Sequence, residues 1–258
     1  MPNYANETIG VIGGCGVAAA NELMCRMERR LTELGCCDDP QQPDVILFQA
    51  THAPNRIAFA SGKSKISFVP YFTEVGKKLK SCGATICCIP CNTAHCAIRE
   101  IESAVGIPFI DVVNETLLHI ATEYPAARKI GILCSSGTRI AEIYQSHAKE
   151  IECRCEFLFP SDGLQMSVDE GIAAVKAGLQ YSHPARAEKF FSVAADDLLS
   201  LGADVIVLGC TEIPLALKAK FFRGKPVIDT ITVLVDACIG RCKSGDHSHS
   251  SAGQPSQI

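Results

Sequence analysis

The chain has 258 residues, of which 47% are hydrophobic and 20% are charged, and its formal net charge is -4 at pH 7. This composition is typical of a soluble globular protein, and the weak negative charge and the absence of Trp argue against nucleic acid or a membrane as partner. Its 15 Cys residues, without a secretion signal, favour free thiols in the cytoplasm over a disulfide framework.

Short apolar segments alternate with segments of helical periodicity along the first half of the chain. The predicted strands are residues 9–12, 44–50, 85–89 and 109–112, and the predicted helices are residues 17–34, 71–81 and 94–105. This alternation is typical of α/β proteins with parallel sheets, in which functional residues gather at the carboxyl ends of the strands.

The second half of the chain repeats the first. Residues 9–16 match 130–137, residues 83–91 match 202–210, and residues 107–111 match 225–229, always at an offset of about 120 positions. We therefore predict an α/β fold of two pseudo-symmetric lobes, each a mostly parallel sheet flanked by helices, with the active site in the cleft between them.

The repeat also predicts where the lobes divide. We expect residues 1–116 together with 228–243 to form lobe 1, which carries Cys91, and residues 117–227 to form lobe 2, which carries Cys210. Residues 244–258 are rich in Ser, Gly, Gln and His, and we expect them to be a disordered tail.

Cys91 and Cys210 occupy equivalent positions of the repeat, each after an apolar strand and before a Thr. At the amino end of a helix, the pKa of a thiol falls and the free N–H groups can hold a carboxylate. Two thiols on opposite sides of a cleft suit inversion of a carbon stereocentre, because one thiolate removes a proton and the opposite thiol returns one. Asn92, Thr93 and Thr211 are candidate donors to the substrate carboxylate.

The Cys-rich segment of residues 87–95 has other interpretations. Cys88 and Cys91 form a C-x-x-C pattern, typical of a thiol–disulfide redox pair, although the second half keeps only the later Cys. A zinc site that includes His95 lacks a second C-x-x-C, and this imidazole is explained equally by a partly buried, hydrogen-bonded side chain. The glycine loop at 13–16 lacks the complete dinucleotide-binding spacing and is interpreted as a tight turn around an anionic ligand.

Three charged residues are candidates for ligand binding, although each has a simpler explanation. Arg56 lies in a loop after the second strand and suits a carboxylate, but a lone loop Arg is usually solvated. Lys176 also fits a surface helix, and Glu212 fits either a substrate ammonium group or an acid in a first helical turn.

The motifs C-N-T-A-H at 91–95 and G-C-T-E-I-P at 209–214 resemble those of the cofactor-independent aspartate/glutamate racemase family. The resemblance extends from residue 9 to about residue 237, through the glycine loop, the P-N-R at 54–56, the S-S-G-T at 135–138 and the V-K-A-G at 175–178. Glu212 stands where glutamate racemases usually carry His, which favours the aspartate racemase branch.

The resemblance implies a site and a reaction. Cys91 and Cys210 would be the two acid/base thiols of a racemase for aspartate, with glutamate as an alternative substrate, without cofactor or metal. Substrate contacts are implied for Asn92, Thr93, Ser136, Thr211 and Glu212, with Arg56 and Lys176 on the distal carboxylate. Cys15, at a position where the family commonly has Met, is expected in the pocket wall.

The resemblance also implies a homodimer. Two other classes of function remain open beside a racemase. A decarboxylase or isomerase of the same superfamily would need only one catalytic Cys, whereas this chain has both. An amino-acid sensor would bind dicarboxylates without catalysing proton exchange.

Overall fold

The computed structural model describes Tyr4 and residues 6–243 of the chain. The predicted disordered tail, residues 244–258, lies outside the described residues. The first sheet consists of β1 (Thr8–Gly13), β2 (Asp44–Gln49), β3 (Ile86–Cys88) and β4 (Phe109–Ile110). These strands are parallel and lie in the order β2-β1-β3-β4.

The second sheet has the same plan. It consists of β5 (Lys129–Leu133), β6 (Glu156–Leu158), β7 (Val205–Leu208), β8 (Phe221–Phe222) and β9 (Lys225–Asp229) in the order β6-β5-β7-β9-β8. All pairs are parallel except β8 with β9. The order β6-β5-β7-β9 repeats that of the first sheet, so the predicted α/β fold of two similar halves is confirmed.

Helices connect the strands and cover the sheets, as crossovers between parallel strands require. In chain order they are α1 (Val17–Glu33), α2 (Arg56–Ala60), α3 (Val69–Ser81), α4 (Ile98–Val105), α5 (Val112–Glu123), α6 (Ser136–Ile140), α7 (Ile143–Glu150), α8 (Asp162–Lys176), α9 (Leu179–Ser182), α10 (Pro184–Ser200), α11 (Ile213–Ala216) and α12 (Thr230–Cys242). The 3-10 helices are Asp39–Gln41 and Asn92–Ala97. No helix among the described residues is long and apolar enough to span a membrane.

The predicted assignment of residues 228–243 to lobe 1 is wrong for the strand. β9 pairs with β7, because Val227 and Ile228 align with Ile206 and Val207 as the last parallel strand of the second sheet. The helix that follows, α12, packs against α1 and α5 of the first half. The boundary predicted between residues 116 and 117 falls within α5 and therefore does not separate two elements.

The helix predicted over residues 94–105 begins differently from the prediction. Residues Asn92–Ala97 form a 3-10 helix, and the α-helix α4 starts only at Ile98, because Ala97 leaves the helical region (φ -134°). The tight 3-10 turn brings the ring of His95 back to the carbonyl group of Cys91 at 2.9 Å. The segment that follows Cys91 is therefore a compact turn rather than the start of a long helix.

Candidate active site

A cavity of about 220 Å³ lies where loops from both sheets meet. Residues that follow β1, β2 and β3 line it from the first half, and residues that follow β7 line it from the second, together with the last residue of α8. Nine of the ten predicted site residues line this cavity, and Ser136 does not. Chemistry-bearing side chains thus gather at the carboxyl ends of parallel strands, where such folds place their ligands.

Cys91 is half-buried and caps the 3-10 helix Asn92–Ala97. A hydrogen bond from the thiol of Cys15 holds the pKa of Cys91 well below the usual thiol range, and the positive charges of Arg56 and Lys176 act in the same direction. These interactions outweigh burial, which alone would raise the pKa. Cys91 therefore loses its proton more readily than an ordinary thiol.

Cys210 lies in a different electrostatic environment. The residue is 9% exposed, and burial raises its pKa well above the usual range, an effect that the negative charge of Glu212 increases. Its thiol donates a hydrogen bond to Oε2 of Glu212 at 3.0 Å. The prediction that a helix amino end lowers the pKa of both thiols is therefore wrong for Cys210, because burial and a carboxylate outweigh the single turn of α11.

The two thiols thus line one cavity with opposite preferences for a proton. Cys91 comes from the first half of the chain and is suited to accept a proton, whereas Cys210 comes from the second half and is suited to donate one. A base and an acid that reach a common cavity from two lobes can act on one bound carbon atom.

The carboxylate of Glu212 is buried against the glycine loop that follows β1. Its Oε1 atom lies 3.6 Å from Nζ of Lys176 and accepts no hydrogen bond from the described residues. A Cβ atom on Gly16 would lie only 1.8 Å from this oxygen, so the carboxylate occupies space that a side chain would fill. Burial raises the pKa of Glu212, while the charge of Lys176 acts against this rise.

Arg56 is the first residue of α2, a helix capped by Asn55, whose Oδ1 atom accepts a hydrogen bond from N–H of Ala58 at 3.0 Å. The guanidinium of Arg56 donates to the carbonyl groups of Cys15 at 2.9 Å and Pro54 at 3.2 Å. Its Nε atom is buried and has no hydrogen-bond partner among the described residues. A buried guanidinium donor that is still free is suited to an anionic group of a ligand.

Polar side chains beside the two thiols link the two halves of the molecule. Asn92 accepts a hydrogen bond from the hydroxyl of Tyr144 at 2.8 Å and donates one to the hydroxyl of Thr230 at 3.2 Å. Thr211, next to Cys210, donates to the carbonyl group of Pro90 at 3.0 Å. Each loop that carries a thiol is thereby held by the other half, and the predicted substrate contacts of Asn92 and Thr211 stay predictions.

The hydroxyl groups beyond Cys91 form a small buried network. The hydroxyl of Thr93 is 3.0 Å from that of Ser135 and 2.9 Å from that of Thr138. Ser136, which follows Ser135, begins α6, and its backbone N–H donates a hydrogen bond to Oδ1 of Asp169 at 2.9 Å. Ser136 does not line the cavity, and its contact with substrate stays a prediction.

The geometry does not support a redox pair between Cys88 and Cys91. Cys88 is fully buried, and a hydrogen bond with Cys238 together with burial raises its pKa well above the usual range. Strand alternation places Cys87 and Cys88 in different hydrophobic clusters. Cys91 instead contacts Cys15, on the loop that follows β1.

His95 is a buried imidazole whose two nitrogens are both used within the fold. Its Nδ1 atom is 2.9 Å from the carbonyl oxygen of Cys91, and its Nε2 atom accepts a hydrogen bond from N–H of Val112 at 3.2 Å. This arrangement confirms the interpretation of His95 as a hydrogen-bonded buried side chain. Among residues 6–243 no group of three or more His, Cys, Asp or Glu could hold a metal ion.

Three residues that line the cavity were not predicted, namely Ala53, Asn55 and Ile57. Ala53 and Asn55 precede Arg56 in the loop after β2, and Ile57 follows it in α2. The sequence carried one usable signal, since Asn before a short apolar run is a common helix cap. The apolar residues carry no such signal, because only the fold brings them to the cavity.

The chain is similar in sequence to known amino-acid racemases. Residues 12–238 match the Asp/Glu/Hydantoin racemase family. The chain is 24% identical over 235 residues to the broad specificity amino-acid racemase RacX of Bacillus subtilis (strain 168), covering 90% of this chain and 96% of that protein. It is also 24% identical over 232 residues to the glutamate racemase of Staphylococcus aureus (strain JH9), covering 86% and 76% respectively.

Solved structures share the fold at low sequence identity. The aspartate racemase of Picrophilus torridus superimposes with a TM-score of 0.77 at 21% identity, covering 92% of this chain and 95% of that one. The glutamate racemase of Francisella tularensis subsp. tularensis SCHU S4 in complex with D-glutamate gives a TM-score of 0.60 at 16% identity, covering 92% and 81%. With a family match over residues 12–238, the chain belongs to the Asp/Glu/Hydantoin racemase family.

Proposed function

We propose that this protein interconverts L- and D-aspartate, with glutamate as an alternative substrate, by transfer of protons between two thiols and one carbon atom, without a cofactor. One observation carries the proposal: a thiol with a lowered pKa and a thiol with a raised pKa line the same cavity from opposite halves of the fold. Membership of a racemase family supports the class of reaction, isomerisation at the α-carbon.

In the proposed reaction, the Cys91 thiolate removes the α-proton from one face of the amino acid. The electron pair of the C–H bond is delocalised into the α-carboxylate, and the Cys210 thiol then delivers its proton to the other face of the carbon. Cys91 ends as a thiol and Cys210 as a thiolate. The reverse reaction starts from this second state, with the two residues in exchanged roles.

The α-proton is far less acidic than a thiol, so the charged groups of the cavity must stabilise the carbanion. Oε1 of Glu212, which accepts no hydrogen bond from the described residues and faces only the ammonium group of Lys176, is suited to hold the substrate ammonium group, which stays protonated and favours loss of the α-proton. The free Nε of Arg56 is suited to hold a carboxylate. Lys176 adds a second positive charge to the lining of the cavity.

The same charges support a dicarboxylic substrate. An amino acid with a neutral side chain presents one carboxylate, whereas this cavity of about 220 Å³ offers two cationic side chains, Arg56 and Lys176. A second carboxylate on the substrate could pair with the guanidinium of Arg56 or with the ammonium group of Lys176, which otherwise faces Glu212. Aspartate and glutamate meet this requirement.

The test is incubation with L-aspartate in deuterated water, with α-deuteration followed by NMR and the D isomer by chiral chromatography. Cys91→Ala and Cys210→Ala should each abolish racemisation, by about 10²-fold or more, because each removes a general acid or base. Each variant should still exchange the α-proton of one enantiomer, and the two variants should act on opposite enantiomers. Cys96→Ala, which removes a nearby exposed thiol, is the matched control and should keep the wild-type rate.

Several results would contradict the proposal. Full racemisation by either single variant would exclude the two-thiol assignment. Loss of activity in Cys91→Ala alone would favour a one-thiol decarboxylase or isomerase, and binding without any deuteration would favour an amino-acid sensor. Deuteration of alanine but of neither dicarboxylate would be consistent with the proposed proton transfer and would exclude aspartate and glutamate as substrates.

A further inference from the structure

A third thiol, Cys15, lines the same cavity and has no part in the proposed proton transfer. The residue lies in the glycine loop after β1, between Gly14, whose φ is +80°, and Gly16. It is 4% exposed, and it also lines a neighbouring cavity of about 290 Å³. Its position is therefore internal but adjacent to open space on two sides.

Cys15 is the main partner of the reactive thiol. Both residues line the cavity, and Cys91 packs against the hydrophobic cluster that contains Cys15; the interaction between the two thiols lowers the pKa of Cys91 and raises that of Cys15. Arg56 holds the loop in this position through its hydrogen bond to the carbonyl group of Cys15 at 2.9 Å. The pair therefore combines a thiol of lowered pKa with a thiol of raised pKa, and the guanidinium of Arg56 interacts with both.

The other thiols near Cys91 are less well placed. The thiol of Cys210 donates its hydrogen bond to Glu212, on its own loop. Cys88 is enclosed in a separate core cluster. Cys96 does not line the cavity, and partial burial of its sulfur raises its pKa to about 11. Only Cys15 both interacts directly with Cys91 and shares its cavity.

We propose that Cys15 is a resolving thiol, so that Cys91 and Cys15 form a reversible modification site for peroxides. A small peroxide that enters the cavity is attacked by the Cys91 thiolate, which gives a sulfenic acid at Cys91 and releases hydroxide. The sulfur of Cys15 then attacks the sulfenic sulfur, a Cys15–Cys91 disulfide forms, and water leaves with the Cys15 proton. Two thiols are oxidised and one peroxide is reduced.

The disulfide would remove the proposed base and protect it at the same time. A sulfenic acid without a neighbouring thiol is oxidised further to the irreversible sulfinic acid, whereas a disulfide is reduced by other thiols. The inference goes beyond the proposed function, because it requires only that Cys91 is a reactive thiolate beside Cys15. It holds whatever substrate the cavity binds.

The experiment treats the full-length protein with hydrogen peroxide, blocks the remaining thiols, and locates linked peptides by mass spectrometry. We expect a disulfide between the peptides that contain Cys15 and Cys91, and its complete removal by dithiothreitol. In Cys15→Ser, which keeps a hydroxyl donor beside Cys91, we expect Cys91 to progress to sulfinic acid that dithiothreitol does not reverse. Cys25→Ser is the control, since this exposed thiol lies on the same tryptic peptide as Cys15.

The oxidation products of Cys91 and Cys15 are measured without any assay of racemisation. If Cys91 in the wild type progresses to sulfinic acid as readily as in Cys15→Ser, Cys15 is not a resolving thiol. A disulfide from Cys91 to Cys96 or Cys210 in place of Cys15 would also overturn the inference. If the disulfide forms but no amino acid is racemised, the proposed function fails and this inference stands.

Discussion

Substitution of Gly16 by Ala tests whether the buried carboxylate of Glu212 controls the reaction. The backbone of Gly16 is extended (φ -170°), so Ala is acceptable there and any effect must come from the new contact. The added Cβ would lie 1.8 Å from Oε1 of Glu212, and contacts below 3.0 Å are essentially never seen. The oxygen must therefore retreat by about 1.2 Å, the difference between these two distances.

This displacement changes the two interactions that Glu212 makes across the cavity. Oε1 faces Nζ of Lys176, and Oε2 accepts a hydrogen bond from the Cys210 thiol. A misplacement of about 1 Å in a reacting geometry can lower the rate by about 10²-fold. We expect kcat/KM to fall by this factor, which corresponds to about 2.7 kcal/mol of transition-state stabilisation at 1.36 kcal/mol per tenfold.

The assay is racemisation of aspartate by chiral chromatography, combined with the pH dependence of alkylation at Cys210. Gly163→Ala is the matched control, because a Cβ atom there meets nothing within 4 Å, and we expect the wild-type rate. Glu212→Asp shortens the side chain, and the double variant with Gly16→Ala should be no slower than Glu212→Asp alone. A wild-type rate in Gly16→Ala, or losses that multiply in the double variant, would refute the reasoning.

Two further predictions concern residues beside the thiols. The negative charge of Glu212 helps to raise the pKa of Cys210, so Glu212→Gln should lower that pKa. Because Cys210 must be protonated, the alkaline limb of kcat/KM should move to lower pH, and an unchanged limb would show that Glu212 does not control this thiol. Thr211→Val removes the hydrogen bond to the carbonyl group before Cys91, and it should lower kcat by about tenfold with a smaller change in KM, since a lost buried hydrogen bond costs about 1–3 kcal/mol. Thr211→Ser should restore most of the rate, and a rise in KM alone would indicate substrate binding instead.

Much of the fold could be predicted because the apolar periodicity and the repeat can both be seen directly in the sequence. The predicted strands at 9–12 and 44–50 correspond closely to β1 and β2, and the predicted helix at 17–34 corresponds to α1. The last strand was assigned to the wrong half, because strand pairing is a long-range property. Its sequence match to the segment that contains β4 was nevertheless correct. β4 pairs with β3, the strand before Cys91, and β9 pairs with β7, the strand before Cys210.

The membership of the site could be predicted, but its electrostatics could not. The motifs around Cys91 and Cys210 identified both thiols, because each follows a strand at equivalent positions. Their pKa values depend on contacts between distant segments, such as Glu212 against Gly16 and Cys15 beside Cys91. No local pattern reports these contacts, and helix position alone led to the wrong direction for Cys210.

Pseudo-symmetry explains why the thiols share a cavity, but it cannot explain why they differ. If the two had equal pKa values, at most about half of the molecules could hold one thiolate and one thiol at any pH. The difference arises where the repeat diverges. In the first aligned segment Cys15 corresponds to Ser136. Two residues beyond the second aligned segment, Glu212 corresponds to Thr93. Cys15 lowers the pKa of the first thiol and Glu212 raises the pKa of the second, so two differences within a duplicated frame would suit one cysteine to the proposed role of base and the other to that of acid.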